Sequence, residues 1–317
     1  MIITLTANPS LDRTVTLGSA LTPGAVHRID SDATQPGGKG VNVAFGVMAA
    51  GVPVLALLPA NSSDRLVALL KEEGLAFQSI PVRGRVRTNL TILGDGETTK
   101  INEAGERLST REVEAVDDAL INAVQAGDTV MLSGSLAPGF PVDEYSRLIR
   151  KLRPLGVWVG VDTSDASLVA LAENFADAAP DFLKPNGLEL GQLTGRDGVE
   201  IERFAERGDL EPARDAALAL RSQGVGEVLV TLGGAGAILA TEEGVWFSPS
   251  PRVDVVSTVG AGDSATAGYL IAREEGLPPA ECLALAVAYG STAVSLPGTT
   301  IPLPSQVLPN TAAVRRI

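Results

Sequence analysis

Cysteine and histidine are nearly absent from this chain. The single Cys282 excludes a disulfide framework within one chain, and with only His27 beside it a Cys/His metal cluster has too few ligands. No run of about 18 or more uninterrupted apolar residues occurs, so no membrane-spanning helix is expected. The opening Met1-Ile-Ile-Thr-Leu-Thr has no basic region of the kind that begins a signal peptide, and the expectation is a cytoplasmic protein. Positive charge is scarce as well. The net charge of −13 argues against nucleic acid as a partner. Lysine is scarcest, with five among 25 basic residues: Lys39, Lys71, Lys100, Lys151 and Lys184. A polyanionic substrate must therefore be met by a local cluster of positive charge or by magnesium. Internal repeats and low-complexity tracts are also missing.

What is present is an ordinary well-cored composition, 45% hydrophobic and 20% charged over 317 residues. From about residue 105 onward, β-rich runs such as 128–133, 157–161 and 227–231 alternate with helical stretches such as 110–126, 142–152 and 212–222. That alternation predicts an open, doubly wound, mainly parallel α/β sheet with helices on both faces. Residues 63–73 read as a helix capped by Ser62 or Ser63. Residues 86–93 alternate like a half-buried strand, and Gly94-Asp95-Gly96 predicts a hairpin returning through 98–102. The stretches around 12–34 and 82–104 break the α/β alternation. They predict a small β-sheet lid inserted in one domain spanning 1–317, covering a site at the carboxyl ends of the parallel strands.

The chemistry gathers in a few segments. Ser257-Thr-Val-Gly-Ala-Gly-Asp-Ser264 stands between a β-like run and an apolar helix. Glycines at a helix start offer N–H groups to an anion, and Asp263 adds a carboxylate that can take a proton beside it. This loosely fits a dinucleotide fingerprint, but it lies too late in the chain to open the usual βαβ unit. In Pro36-Gly-Gly-Lys-Gly-Val-Asn-Val-Ala44, Lys39 supplies a point charge and Asn42 lies about one helical turn on; the Walker A spacing is absent. A plain flexible loop ending in a helix start fits this segment equally well. Asp12 can hold sugar hydroxyls or serve as a turn residue. Arg87 can grip a phosphate in two-pronged fashion or be an exposed strand arginine. Ser133-Gly-Ser-Leu-Ala-Pro-Gly139 suits a ligand floor or a plain turn. Asn186 and Glu189, three apart after Lys184-Pro, suit Mg²⁺ or a capping box, and the two roles can coexist. Thr231-Leu-Gly-Gly-Ala-Gly236 links two β-like runs, as a nucleotide-facing turn or a simple hairpin.

Taken in order, these segments resemble the ribokinase-like sugar kinases, specifically the phosphofructokinase B group, over essentially the whole chain. Thr4-Leu-Thr-Ala-Asn-Pro-Ser-Leu-Asp12, Gly-Gly-Lys-Gly, Arg87-Thr-Asn and Asp162-Thr-Ser look most like its 1-phosphofructokinase and tagatose-6-phosphate kinase branches. The resemblance implies an ATP- and Mg²⁺-dependent kinase of a ketohexose phosphate, with a β lid often used in homodimerisation. It implies Asp263 as the base, with Gly260, Ala261 and Gly262 as anion hole. It implies Asp12, Gly38 and Asn42 as sugar contacts, and Lys39, Arg87 and Ser135 for the substrate's own phosphate. Lys184, Asn186, Thr231, Gly233 and Gly236 fall to the nucleotide, and Asn186, Glu189 and Asp162 to the metal. Ala7 and Ala137 depart from the group's pattern, and the second puts Ser135 in doubt. Two other classes remain as alternatives at this stage: a non-catalytic sugar or nucleotide-binding protein, and a nicotinamide enzyme.

Overall fold

The computed structural model describes residues 1–307 and 314–317. The chain opens with β1 (Ile2–Thr6), β2 (Ser10–Leu17) and β3 (Ile29–Gly37), which lead into α1 (Lys39–Ala49). Then come β4 (Val54–Pro59), α2 (Arg65–Glu72), β5 (Phe77–Ile80), β6 (Arg87–Gly94) and β7 (Glu97–Asn102). The middle of the chain is α3 (Thr110–Ala123), β8 (Thr129–Ser133), α4 (Glu144–Leu152), β9 (Trp158–Asp162), α5 (Asp165–Ala172) and α6 (Phe175–Ala178). After these follow β10 (Phe182–Leu183), α7 (Gly187–Thr194), α8 (Gly198–Glu206) and α9 (Glu211–Ser222). The last elements are β11 (Glu227–Thr231), β12 (Ala237–Thr241), β13 (Gly244–Ser248), α10 (Ala261–Glu274), α11 (Pro279–Val294) and β14 (Arg315–Arg316).

Among the described residues the strands form two sheets. The larger runs β14-β13-β12-β11-β10-β9-β8-β1-β4-β5. It is parallel from β11 to β5 and antiparallel from β11 to β14. Its central strand shows why. Ile2-Ile-Thr-Leu-Thr is buried at every position, the signature of a strand covered on both faces. Ile3 and Leu5 point into a core shared with α3, α4, α5 and α9, while Ile2 joins the opposite core with α1, α2, α10 and α11. The chain leaves β1 toward β4 and later returns to β8 on its other side. That reversal opens a crevice at the strands' carboxyl ends, where ligands of such sheets bind.

The smaller sheet, ordered β3-β2-β6-β7, matches the expected lid, including the tight turn between β6 and β7. Two local expectations are corrected. The cap of α2 is Asp64, not Ser62 or Ser63: its Oδ1 accepts from Leu66 N at 2.9 Å. Its Oδ2 accepts from Val86 N at 3.0 Å, which ties the helix to the lid's entry. Ser63 instead donates its N–H to Asn61, closing a turn. The helix α8 and the strands β5 and β13 had no sequence assignment. The mostly helical remainder expected after Asp263 ends at Val294, and residues 308–313 of it lie outside the described residues.

Candidate functional site

Polar residues line up along the carboxyl edge of the large sheet. Thr6, Ser133 and Asp162 end three adjacent strands and pair in register, and each is at most 1% exposed. The start of α1 lies flat on this edge because its glycines permit it. Gly38 has φ 107, and a Cβ there would stand 2.6 Å from Thr6 Cγ2. A Cβ on Gly40 would stand 2.5 Å from Thr6 Oγ1. The Gly-Gly-Lys-Gly segment is therefore a close-packed helix start and not a flexible loop.

A second helix start faces it. Gly260, at φ 78, turns the chain into α10, whose first turn carries no side-chain cap. The α1 start has none either. Two sets of free N–H groups therefore open on one cleft of about 390 Å³, a volume suited to small phosphorylated ligands. A neighbouring cavity of about 30 Å³ shares Arg87 but has room for little more than a water molecule.

The cleft collects most of the expected residues. Asp12, Gly38, Lys39, Asn42 and Arg87 line it together with Lys184, Asn186, Glu189 and Thr231, and with Gly260, Gly262 and Asp263 from the start of α10. Ala261, Ser135, Gly233, Gly236 and Asp162 are not in its lining. Ser135 lies below, where Asn8 Nδ2 donates to its Oγ at 3.5 Å. Gly236 serves the turn into β12, since a Cβ there would meet Ser248 O at 2.1 Å. Asn89 and Thr299 also line the cleft and were missed. Asn89 had a signal: it is two residues from Arg87 on one strand, hence on the same face. Its amide donates to Asp12 Oδ1 at 3.0 Å, and Ser10 Oγ donates to the same oxygen at 2.7 Å. Thr299 had none, because only tertiary packing brings the loop after α11 to the lid, where its hydroxyl donates to Gln35 at 3.4 Å.

Asp263 is 7% exposed, and Asn42 Nδ2 donates to its Oδ2 at 2.8 Å. Burial pushes its carboxyl up to about 6, with Asp162 adding to the rise and Lys39, Asn42 and Lys184 opposing it. A helix start favours the ionised form, and burial outweighs it; the group is still mostly ionised at neutral pH. Asn42, expected as a sugar contact, here orients the carboxylate.

Asp162 departs furthest from expectation. Its Oδ1 accepts from Lys39 Nζ at 2.7 Å, and its Oδ2 lies 3.1 Å from Lys184 Nζ. This carboxylate is 1% exposed, outside the cleft lining, and has an ammonium beside each oxygen, so the lysines and not a metal are its partners here, although its Oδ2 accepts no hydrogen bond. Burial opposes its charge, but Lys184 and Lys39 hold it below the usual carboxylate range. Burial alone would likewise lower the Lys39 pKa, and Asp162 and Asp263 outweigh it. Asn186 and Glu189 do form the capping box: Asn186 Oδ1 accepts from Glu189 N at 2.8 Å, and Glu189 Oε2 from Asn186 N at 2.9 Å. Burial raises the Glu189 carboxyl. Among the described residues no group of three or more His, Cys, Asp or Glu could hold a metal alone. One cleft carboxylate with a free oxygen fits Mg²⁺ held jointly with substrate phosphates, the usual protein share of such sites. No helix among the described residues is long and apolar enough to cross a membrane.

The comparisons with known proteins agree with this geometry. The family described as pfkB family carbohydrate kinase matches residues 6–306. The 1-phosphofructokinase of Haloferax volcanii is 35% identical over 315 residues, covering 98% of this chain and 96% of the relative. Phosphofructokinase-2 from Escherichia coli, solved in complex with substrates and products, superposes with TM-score 0.87 at 29% identity, covering 96% of each chain. A ribokinase from Thermotoga maritima, at TM-score 0.73 and 20% identity over 97% of this chain and 98% of its own, shares the fold.

Proposed function

The chain belongs to the pfkB family of carbohydrate kinases, and from that premise we propose that it phosphorylates a ketohexose phosphate with ATP, converting fructose 1-phosphate to fructose 1,6-bisphosphate. One observation carries this reading. Asp263, a buried carboxylate at an uncapped helix start, shares its cleft with three cations, Lys39, Arg87 and Lys184. A kinase of a neutral sugar needs positive charge for ATP alone, and three cations in one cleft suit an acceptor that carries a phosphate of its own.

Asp263 takes the proton of the acceptor hydroxyl as that oxygen forms its bond to the γ-phosphorus and the bond to the ADP oxygen breaks. The first N–H groups of α10 hold the charge that develops on the transferring group. Lys39 and Arg87 bind the phosphate that the sugar already carries, and Asp12, fixed by Ser10 and Asn89, accepts from sugar hydroxyls. Lys184 and Thr231 bind the nucleotide. Glu189, with Asn186 beside it, would hold Mg²⁺, which supplies positive charge to the ATP phosphates when bound. The lid sheet excludes water, and its edge strands β3 and β7 expose Ile29 and Ile101, the surface through which this reading pairs two copies.

A coupled ADP-release screen tests the assignment, with fructose 1-phosphate, tagatose 6-phosphate and fructose 6-phosphate as acceptors. The highest kcat/KM is expected with fructose 1-phosphate. A preference of tenfold or more for either of the others, on the order of 1.4 kcal/mol, reassigns the substrate within the family. Turnover of unphosphorylated fructose at an equal kcat/KM rejects the acceptor-phosphate site.

A further inference from the structure

We propose that Asp162 is a positioning residue for phosphoryl transfer, a single buried carboxylate that holds Lys39 and Lys184 and thereby sets where each ammonium meets its phosphate. The inference rests on the kinase reading above. Lys39 begins α1 and Lys184 follows β10, so they reach the cleft from different elements. Both reach Asp162, one at each oxygen, at 2.7 and 3.1 Å. Asp162 itself stands outside the cleft lining, so it acts through the lysines and touches no substrate.

The carboxylate is rigidly based. It ends β9, a strand paired on both sides. Its own carbonyl accepts from Gly134 N at 2.7 Å, and the carbonyl before it accepts from Lys184 N at 3.2 Å. Lys184 Nζ in turn stands 3.2 Å from where a Cβ on Gly262 would be, against the start of α10. Two ammoniums in one cleft repel each other and seek the nearest anion. Without Asp162 that anion is Asp263, and a lysine on Asp263 would occupy the oxygen that must take the proton. Asp162 keeps the lysines apart from the base and at fixed places.

The experiment uses the full chain and measures KM for fructose 1-phosphate and for ATP. Lys39→Ala is expected to raise only the acceptor KM, and Lys184→Ala only that for ATP. Asp162→Asn is expected to raise both by about tenfold or more, the scale of a lost charge-assisted bond to Lys39 and a lost buried ion pair with Lys184. The double variant Asp162→Asn/Lys39→Ala is expected to add little to the acceptor KM of Lys39→Ala alone. Additive effects overturn the proposal, as does a loss confined to one substrate. So does a tenfold rise in the Mg²⁺ requirement with both KM values normal at saturating Mg²⁺, which would restore Asp162 to the metal. Should Asp162→Asn fail to fold, Asp162→Glu keeps the charge but moves it by one methylene: a rise in both KM values supports the proposal, and a rise in one alone or in neither overturns it. Calorimetric ATP affinity, measured without acceptor, reads the Lys184 arm alone: a loss in the Asp162 variant supports the proposal and an unchanged affinity overturns it. An inactive wild type with every ketohexose phosphate would reject the kinase reading, whereas an active wild type with a one-sided Asp162 variant would reject only this inference.

Discussion

Replacing Asp263 by Asn tests the proposed chemistry and the energetics of the site together. The side chain keeps its size and can still accept the Asn42 hydrogen bond, but it loses its charge and its basicity. A drop in kcat of about 10²-fold or more is expected, the scale of lost general-base catalysis. ATP affinity should change little, because Lys184 keeps Asp162 as its partner. The wild type should also lose activity in acid. With the Asp263 carboxyl pushed up to about 6, kcat should fall roughly tenfold between pH 7 and pH 5 as the base is protonated.

The same burial makes a stability prediction of opposite sign. The folded-state value is raised, so the native state binds the proton more tightly than the unfolded chain does. The contribution of this group to stability is therefore greatest below the ordinary carboxylate range and is lost as pH rises through about 6. Holding the ionised form in the fold costs about 3 kcal/mol at neutral pH. Asp263→Asn removes that cost, so the inactive variant should unfold at a higher temperature than the wild type at pH 7.5. Steady-state ADP release from pH 5 to 8 and calorimetric unfolding at pH 7.5 measure the two effects. A variant with near-normal kcat, or one both inactive and less stable, would refute the picture of a buried, strained base.

Three further outcomes follow from single contacts. Asn42→Leu removes the donor that favours the ionised Asp263, so the acid limb of the wild-type kcat profile should move toward neutral pH; an unmoved limb would deny Asn42 its orienting role. Glu144 is buried beside Asp117 between α3 and α4, and burial together with that carboxylate pushes it up to about 8, against the pull of Arg147 and Lys151. Its raised value means stability should decline as pH rises from about 5 to 8, and Glu144→Gln should flatten that decline in thermal unfolding while a parallel slope would reject it. Gly40→Ala places a methyl group 2.5 Å from Thr6 Oγ1 and 3.1 Å from Leu5 O, so chemical denaturation should show a loss of about 1–3 kcal/mol; an unchanged midpoint would mean that α1 has room to lift off the sheet edge.

Much of the architecture is legible because its causes are local. The tight turn between β6 and β7 is written in Gly94-Asp95-Gly96, and the cap of α7 in the three-residue spacing of Asn186 and Glu189. The unbroken burial of β1 and β8 follows from their being covered on both faces. Misreadings arose where a distant partner competes with a local one. Ser62 and Ser63 are acceptable caps by type, but Asp64 also bonds Val86, 22 residues on, and so takes the position.

The catalytic inventory divides in the same way. The sequence by itself determined which chemical groups are available: one carboxylate after a Gly-rich helix start, two lysines among five, an arginine on an alternating strand. Those are properties of residue type and short spacing. The tertiary structure decided what each group is paired with. Lys39 meets Asp162 across 123 residues, and Asn42 meets Asp263 across 221. Such pairings depend on which strand ends adjoin in the sheet. The same packing sets how much water each carboxylate loses, so it also decides that Asp263 is a raised base and Asp162 a paired anion. Two aspartates of one chemistry thus acquire opposite roles through charge neighbours and burial, which no short stretch of sequence contains.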